Sequence, residues 1–292
     1  MKILTCVVNN PVFIEIQYKL LKKYIRGGNF EFIVFNDAKG FPDYTNDGDI
    51  TIRKQIEDTC KNLGITCINI ENDYQQQHSR NSNIASTRTG IGMNVMLKYQ
   101  IENPDKYLII DSDMFLIDYM DINKYDGYKC AFVLQTRESN YRYMWHGVVY
   151  MDMNLIKDDI NDLDWQLQPF TDTGGKTHDW LERQIKKDDI YVPTGEELRY
   201  KKDINYNLKS LYYIKHLWSL SWNEEEIPEN LKEQKELISF MKNDLRNKNN
   251  NFYCEIYDNI FLHYRSGCNW VGEGLNFHKT HSLNLKNVLL KD

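Results

Sequence analysis

Two aspartates, Asp111 and Asp113, stand two residues apart directly after the apolar run Tyr107–Ile110. That run follows a turn signal at 103–106 and is typical of a strand covered on both faces. Because strand residues alternate in direction, both carboxylates lie on one side. Burying two like charges is unfavourable without a cation, so the doublet faces a solvated cleft or binds a divalent metal. Mg²⁺ or Mn²⁺ bound in this way commonly takes substrate phosphates as further ligands, which predicts a nucleotide-diphosphate site.

The composition describes a folded globular protein and excludes several classes of function. The chain has 292 residues, of which 41% are hydrophobic and 13% aromatic. A net charge of −6 and a pI near 5.7 give no attraction to nucleic acid or anionic lipid. The six cysteines show no Cys-x-x-Cys spacing, so we expect free thiols. No apolar stretch reaches the ~18 residues of a membrane span, and the first apolar run is too short for a signal peptide, which predicts a cytoplasmic protein without a transmembrane segment.

Strand and helix signals alternate in the first part of the chain, which predicts parallel strands joined by right-handed crossovers. Gly27-Gly28 ends the first predicted helix. The predicted elements are a strand over Ile3–Val8, a helix over Pro11–Arg26, a strand over Phe30–Phe35, a helix over Ile52–Leu63, a strand over Thr66–Ile70 and a helix over Ser86–Tyr99.

After Asp113 the pattern is mixed. It predicts strands over Lys129–Thr136 and Gly147–Met153 with a loop at 137–146, a helix over Glu229–Arg246 and a strand over Phe252–Tyr264. The chain contains no internal repeat. We predict one α/β domain over 1–292 with a C-terminal extension from about residue 200. A domain boundary near residue 200 is the alternative.

The strand ending in Asp111-Ser112-Asp113 resembles the Asp-x-Asp segment of the A-type (GT-A) nucleotide-sugar glycosyltransferases, most closely the retaining family that includes glycogenin. The resemblance implies a Rossmann-like GT-A fold with a mixed central sheet flanked by helices, its C-terminal extension closing over the donor site. It implies a hexosyltransferase that moves a sugar from a nucleotide sugar, a UDP-sugar by the family's preference, to a glycan, glycoprotein or other hydroxyl acceptor. Asp111 and Asp113 would then hold Mn²⁺ or Mg²⁺ against the donor diphosphate, with Ser112 between them.

A second resemblance lies near the C-terminus, where Phe261–Trp270 is similar to the family segment His-x-x-Gly-x-x-Lys-Pro-Trp. It implies that His263 is the third metal ligand. An imidazole added to two carboxylates favours Mn²⁺ over Mg²⁺. One extra residue precedes Gly267 and the phosphate-binding Lys is missing, so Arg265 or a backbone N–H near Gly267 must replace it.

Further matches concern the nucleotide. Ligands of such folds bind beyond the carboxyl ends of the strands. The resemblance implies that Asn9, at the end of the first strand, contacts the nucleobase, and that Asp37, after the second, reaches the base or ribose. Arg88 resembles the basic residue that touches donor sugar and phosphate.

The last matches concern the sugar. Trp145-His146-Gly147 resembles a strand beside the donor sugar, with His146 in place of a small residue, and Asp179-Trp180 resembles an Asp-Gln motif. Asp179 is the candidate donor-hydroxyl contact, and the catalytic base if the reaction inverts configuration. Retention needs no such base, so stereochemistry stays open. The aromatic side chains that could stack on sugars are Tyr141, Tyr143, Trp145 and Trp180, with core or lid packing as the alternative.

Two other functions are consistent with the doublet. Haloacid-dehalogenase-like phosphatases also carry Asp-x-Asp after an apolar strand, although Met114-Phe115 departs from their motif and three predicted strands precede it. A non-catalytic carbohydrate-binding protein with the same fold is the third hypothesis. The simplest alternative for each site residue is structural: the doublet caps a turn, His263 is a buried histidine, Asp37 is a turn residue and Asp179 is a helix N-terminal charge.

Overall fold

The structure is a computed structural model that describes residues 1–71, 84–137, 141–192, 207–217, 225, 227–249, 251–268 and 274–291. The described strands are β1 (Lys2–Val7), β2 (Ile25–Arg26), β3 (Glu31–Asn36), β4 (Thr66–Asn69), β5 (Lys106–Ile110), β6 (Met114–Leu116), β7 (Met120–Asp121), β8 (Cys130–Arg137), β9 (Tyr141–Asp152), β10 (Asn207–Leu208), β11 (Leu211–Tyr213), β12 (His216–Leu217), β13 (Glu255–Tyr257) and β14 (Phe261–His263). The described α-helices are α1 (Pro11–Tyr24), α2 (Ile52–Leu63), α3 (Ile84–Glu102), α4 (Met153–Ile156), α5 (His178–Lys187), α6 (Glu229–Lys232), α7 (Lys235–Lys242) and α8 (Leu275–Leu289).

Eight strands form the main sheet in the order β10-β11-β8-β9-β5-β1-β3-β4. The strands β5, β1, β3 and β4 are parallel, whereas β9 is antiparallel to both β5 and β8. The mixed central sheet and the parallel pairing predicted for the first strands are therefore confirmed.

Helices cover both faces of this sheet. Along β1, Ile3 packs with the apolar residues of α1 and α2, and Leu4 packs on the opposite side with those of α3 and α5. Strands buried on both faces need continuous apolar runs, which is why Tyr107–Ile110 contains no polar residue. The helix α2 ends at Gly64, whose positive φ of 67° terminates the helix without a Cβ penalty.

A second sheet of four strands, in the order β12-β13-β14-β6, lies next to the first. Its strand β6 follows β5 directly in the chain, whereas β14 comes about half a chain later. A third apolar cluster joins this sheet to α1, α7 and α8 through residues such as Phe13, Phe115 and Leu262. The turn between β5 and β6, which carries Asp111 and Asp113, therefore connects the two sheets.

Three sequence predictions in the second half are wrong in detail. The predicted loop at 137–146 is strand from Tyr141 onward, because its aromatic residues alternate with period two as in a half-buried strand. The predicted helix over Glu229–Arg246 is divided into α6 and α7, and Gln234 between them donates to the Ile117 carbonyl oxygen at 3.1 Å.

The predicted strand over Phe252–Tyr264 is a hairpin of β13 and β14. Asp258 and Asn259 reverse the chain with φ values of 51° and 61°, a left-handed conformation that Asp and Asn tolerate better than most residues. This hairpin turns Glu255 towards His263, its partner in the register. The single-domain assignment over 1–292 stays a prediction.

All six cysteines are free thiols, as the spacing predicts. None of the helices in the described ranges is long and apolar enough to cross a membrane.

Candidate metal centre

Strand pairing brings Asp111, Asp113 and His263 together. In the second sheet His263 pairs with Met114, and the Tyr264 N–H donates to the Asp113 carbonyl oxygen at 2.9 Å. The register therefore places the imidazole beside the residue that precedes β6. One ligand atom from each of the three side chains lies within 4.8 Å of the others, a spacing short enough for one shared cation.

Glu255 orients the imidazole of His263. Its buried carboxylate oxygen Oε2 lies 2.7 Å from Nδ1 of His263 and also accepts a hydrogen bond of 2.8 Å from the Tyr257 hydroxyl. Since Nδ1 must carry the proton in a hydrogen bond to a carboxylate, Nε2 of the neutral ring is left with its lone pair. Metal-binding histidines commonly have such a carboxylate partner on the second nitrogen.

Asp113 presents a buried oxygen to that Nε2 atom. Its Oδ2 accepts a 2.8 Å hydrogen bond from the Gly267 N–H, whereas Oδ1 lies 3.2 Å from Nε2 of His263. The angle of that approach does not meet hydrogen-bond geometry, so Oδ1 has no hydrogen-bond partner among the described residues. An unpaired anionic oxygen beside an imidazole nitrogen fits a divalent cation. The donor set of two carboxylates and one imidazole suits Mn²⁺.

The ionisation of these groups depends on their mutual contacts. Burial lowers the pKa of His263, but the carboxylates of Asp113 and Glu255 outweigh it and raise the pKa to about 10. Burial raises the pKa of Asp111, yet the pairing with His146 and the nearby His263 bring it below its ordinary value. The raised pKa favours the protonated imidazole in the metal-free protein, so a cation that binds Nε2 must displace a proton.

Polar contacts of Gln17 and Ser112 hold the turn that carries the doublet. The buried Gln17 amide of α1 donates to the carbonyl oxygens of Asp111 and Met114 at 2.7 and 3.0 Å. The Ser112 N–H donates to Asp111 Oδ1 at 2.7 Å, and the Ser112 hydroxyl contacts the Cys268 thiol at 3.1 Å. Gln17 thereby satisfies two backbone oxygens of the turn, and the Ser112 N–H fixes one oxygen of the Asp111 carboxylate.

Gly267 is required by close packing. A Cβ at this position would lie 2.7 Å from ring atoms of both Phe13 and Tyr264. The preceding Ser266 has a φ of 60°, and this turn aims the Gly267 N–H at Asp113. Arg265 lines the cavity described next, and its carbonyl oxygen accepts from the Arg246 side chain. Trp270 lies outside the described residues.

A cavity of about 360 Å³ opens at the carboxyl ends of β1, β3 and β5. Asp111, Asp113 and His263 form part of its wall, together with residues at the ends of the parallel strands such as Cys6, Val8 and Asp37. This is the edge at which open α/β sheets bind ligands.

Asp37 and Arg88 meet at this cavity. Arg88 Nε donates to Asp37 Oδ2 at 2.8 Å, and its Nη1 contacts Asp43 and Thr45, each at 3.1 Å. Asp37 Oδ1 is buried and has no hydrogen-bond partner among the described residues. Burial raises the pKa of Asp37 above its ordinary value despite the opposing effect of Arg88. Arg88 is thus engaged by protein carboxylates, while Asp37 keeps one oxygen available to a ligand.

Asn9 has a different place from the one predicted. Its side-chain amide donates to the carbonyl oxygens of Thr45 and Cys268 at 2.8 and 3.0 Å. The side chain is fully buried and does not line the cavity. Asn9 therefore ties two loops to the end of β1, whereas Cys6 and Val8 line the cavity at this strand end.

Residues 146–148 form a bulge in β9. Phe132 pairs with Val149, whereas the next residue, Val133, pairs with Trp145, so residues 146–148 are extra. A Cβ on Gly147 would lie 1.9 Å from the Trp145 ring, so only glycine lets the indole fold back here. The bulge turns His146 to Asp111, with Nε2 3.2 Å from Oδ2. Trp145 and His146 line the cavity.

The structure does not bring Asp179 and Trp180 to the cavity. Asp179 lies on the exposed face of the first turn of α5. Trp180 is completely buried in the core, and its Nε1 donates to the Asp159 carbonyl oxygen at 2.7 Å. We therefore do not assign catalytic or substrate contacts to them. Besides the doublet, the described carboxylates that line the cavity are Asp37, Asp172 and Glu255.

Tyr143 is likewise fully buried, so it does not present a ring face to ligand. Tyr141 stacks on His178 with ring centroids 4.0 Å apart. Of the four aromatic residues that could stack on sugars, Trp145 is the one that lines the cavity.

Sequence reasoning missed Glu255 and Gln17. A signal for Glu255 was present, since an acidic residue inside an apolar segment needs a charged partner when it is buried. For Gln17, a polar residue on the otherwise apolar face of α1 gave the same kind of signal.

Comparisons with known proteins give a fold likeness at low similarity. No protein-family model matches the chain, and no curated protein matches it significantly. The solved structures that match include the galactosyltransferase LgtC in complex with donor and acceptor sugar analogues, at 15% identity over 73% of each chain with a TM-score of 0.39. An active-site mutant of LgtC matches at 14% identity over 73% of this chain and 72% of that chain, with a TM-score of 0.36. Function is therefore argued below from the site.

The fold and the site define this chain as a mixed α/β protein with a candidate Asp-Asp-His centre in a cavity at the carboxyl edge of its parallel strands.

Proposed function

We propose that this protein is a metal-dependent glycosyltransferase that moves a sugar from a nucleotide sugar, a UDP-sugar by resemblance, to a hydroxyl group of a glycan or glycoprotein. One observation carries the proposal. Asp111, Asp113 and His263 converge at the wall of a cavity beyond the parallel strands, with Glu255 fixing the imidazole. The motif resemblance of both segments supports the same conclusion.

Asp111, Asp113 and His263 would hold Mn²⁺, or Mg²⁺, against the donor diphosphate. When bound, a divalent cation supplies Lewis-acid stabilisation of the negative charge that develops on the leaving diphosphate, worth several kcal/mol. Glu255 keeps His263 in place through Nδ1, and the Gly267 N–H keeps Asp113 in place through Oδ2. The protein thus orients its ligands before the donor arrives, which lowers the reorganisation that binding requires.

The remaining cavity wall suits the other parts of a nucleotide sugar. Asp37 Oδ1, buried and without a partner among the residues described, can accept a hydrogen bond from a ribose hydroxyl or a base N–H. Arg265 replaces the missing lysine as the cation near the diphosphate. Arg88 positions Asp37 rather than contacting phosphate, because protein groups already occupy its guanidinium.

Titration calorimetry with a panel of nucleotide sugars, each measured with Mn²⁺ and with a chelator, tests the proposal. We expect donor binding that requires Mn²⁺ and slow metal-dependent release of the nucleoside diphosphate. Phosphate release from simple phosphomonoesters would identify a phosphatase instead. Saccharide binding that is indifferent to Mn²⁺ would identify a non-catalytic binding protein.

A further inference from the structure

A second polar cluster lines the same cavity and is not used by the proposed metal centre. It consists of Gln135 and Arg137 on β8, and Asp172 on the loop before α5. The hydroxyl of the buried Tyr143 lies at its centre: it donates to Gln135 Oε1 at 2.7 Å and accepts from the Asp172 N–H at 3.2 Å.

Gln135 has a hydrogen-bonding group left over. Its side chain is 6% exposed, and Oε1 accepts from both the Tyr143 hydroxyl and Arg137 Nη2, the latter at 3.0 Å. Because both contacts use the oxygen, the orientation of the amide is fixed by its neighbours. The Nε2 group donates to no other residue in the described ranges, although Gln135 is nearly buried. A nearly buried donor at a cavity wall needs an acceptor from a ligand or water.

Arg137 brings a positive charge to the same place. Its guanidinium contacts Gln135 and lies 5.6 Å from the centroid of the Tyr143 ring. Within the part of the chain that the structure describes, no carboxylate lies within ion-pair distance of it. This separates Arg137 from Arg88, whose charge Asp37 and Asp43 neutralise. The planar fork of an arginine recognises carboxylate and phosphate groups.

Asp172 supplies an acceptor on the other side of Tyr143. Its Oδ1 accepts from the Ser86 hydroxyl at 2.8 Å and from the Thr173 N–H at 2.7 Å. The second oxygen, Oδ2, has no hydrogen bond to the other described residues. A cation, an amide donor and a carboxylate acceptor therefore share one wall, which suits a hydroxylated ring that carries an acidic group.

The register places this wall two residues along β8 and β9 from the metal centre. Gln135 pairs with Tyr143, and Val133 pairs with Trp145 at the edge of the metal centre. Two residues along a strand correspond to ~7 Å. The cluster thus lies about the width of one sugar ring from the bulge that turns His146 to Asp111.

We propose that Gln135, Arg137 and Asp172 form a subsite for a sugar that carries a carboxylate or phosphate group. The acidic group binds Arg137 and the Gln135 amide, and a ring hydroxyl donates to Asp172. This inference rests on the proposed function and specifies the substrate class of the same cavity. The acidic sugar is either the one transferred or the acceptor, which share the same chemistry at this wall.

Paired probes with and without an acidic group test the subsite. The donor arm compares UDP-glucuronic acid with UDP-glucose by calorimetry in the presence of Mn²⁺. The acceptor arm compares methyl glucuronide and glucose 6-phosphate with methyl glucoside by saturation-transfer NMR in the presence of Mn²⁺ and UDP. Each probe is measured on the wild type, on Arg137→Gln and on the control Arg183→Gln, which removes an exposed guanidinium bound to Asp162 on the surface.

In at least one arm we expect an acidic probe to bind about tenfold or more tightly than its neutral counterpart, as for one charge-assisted hydrogen bond. Arg137→Gln should abolish this preference, and Arg183→Gln should keep it. Equal binding of acidic and neutral probes in both arms, or a preference that survives in Arg137→Gln, would overturn the subsite. Binding of UDP with Mn²⁺ separates the two proposals: if it occurs normally while the preference is absent, only the subsite is wrong, and if it does not occur, the metal-dependent transferase itself is wrong.

Discussion

Asp113→Asn is the substitution that most directly tests the metal centre, because it changes charge and hydrogen bonding while it keeps shape. In the wild type, Oδ2 of Asp113 accepts from the Gly267 N–H, and Oδ1 faces Nε2 of His263 at 3.2 Å. The asparagine oxygen can keep the contact with Gly267. Its uncharged NH₂ group then faces Nε2 in place of the carboxylate oxygen. The substitution therefore removes one ligand oxygen and its negative charge from the site.

The size of the expected effect follows from this geometry. Loss of a single outer contact to a metal ligand typically weakens metal binding by about 10- to 100-fold. Since Asp113→Asn removes a ligand itself and not only an outer contact, we expect at least a 100-fold loss, which corresponds to about 2.7 kcal/mol. The fold should persist, because Gly267 keeps its acceptor and the side-chain volume does not change.

Mn²⁺ titration by calorimetry, with circular dichroism as the check on folding, measures this effect. Asp118→Asn is the matched control: it makes the same change just after β6, where Asp118 accepts a hydrogen bond from Asn230 at 2.6 Å, away from the cavity. Mn²⁺ affinity in Asp113→Asn within about threefold of that in Asp118→Asn would refute the metal assignment.

Three further predictions concern the groups around the ligands. Glu255→Gln removes a carboxylate that raises the pKa of His263. An NMR titration of the metal-free variant should therefore give a His263 pKa below the value of about 10 in the wild type. An unchanged His263 pKa would show that Glu255 does not act on the imidazole. Because of the same raised pKa, a metal must displace a proton from His263 at neutral pH. Mn²⁺ affinity should therefore rise with pH, by up to about tenfold per pH unit. Calorimetry at several pH values below that pKa measures this, and a constant affinity would contradict it. Gly267→Ala forces a Cβ to 2.7 Å from the rings of Phe13 and Tyr264. This overpacking should lower the free energy of unfolding by about 1–3 kcal/mol and weaken Mn²⁺ binding. A denaturation midpoint equal to that of the wild type would show that the turn accommodates the methyl group.

Periodicity predicted the first half of the fold well, because the parallel strands are short apolar runs bounded by turn signals. The helix α2, for example, has the predicted bounds of Ile52–Leu63. The prediction failed where local sequence and long-range pairing disagree. The bulge at residues 146–148 depends on how β9 pairs with two different strands, and no local pattern encodes that.

The site shows the same division. The sequence identified Asp111 and Asp113 from spacing alone, and His263 only from a resemblance. Nothing in the spacing of Arg88 indicated that Asp37 and Asp43 would neutralise it, since those contacts form across about 50 residues of chain. Asp179 was placed at the site by its motif, but the helical turn that carries it directs the side chain to solvent.

The pairing of β6 with β14 makes the metal centre dependent on order of synthesis. A nascent chain that has reached β6 carries the acidic doublet, but its imidazole is still to be translated about half a chain later. A divalent ion that binds only the completed pair of strands would hold them together, adding about 2.7 kcal/mol when the free ion is present at ~100 times its dissociation constant. The supply of that ion would then influence how firmly the second half of the polypeptide stays docked, and the protein without the ion would be more sensitive to proteases.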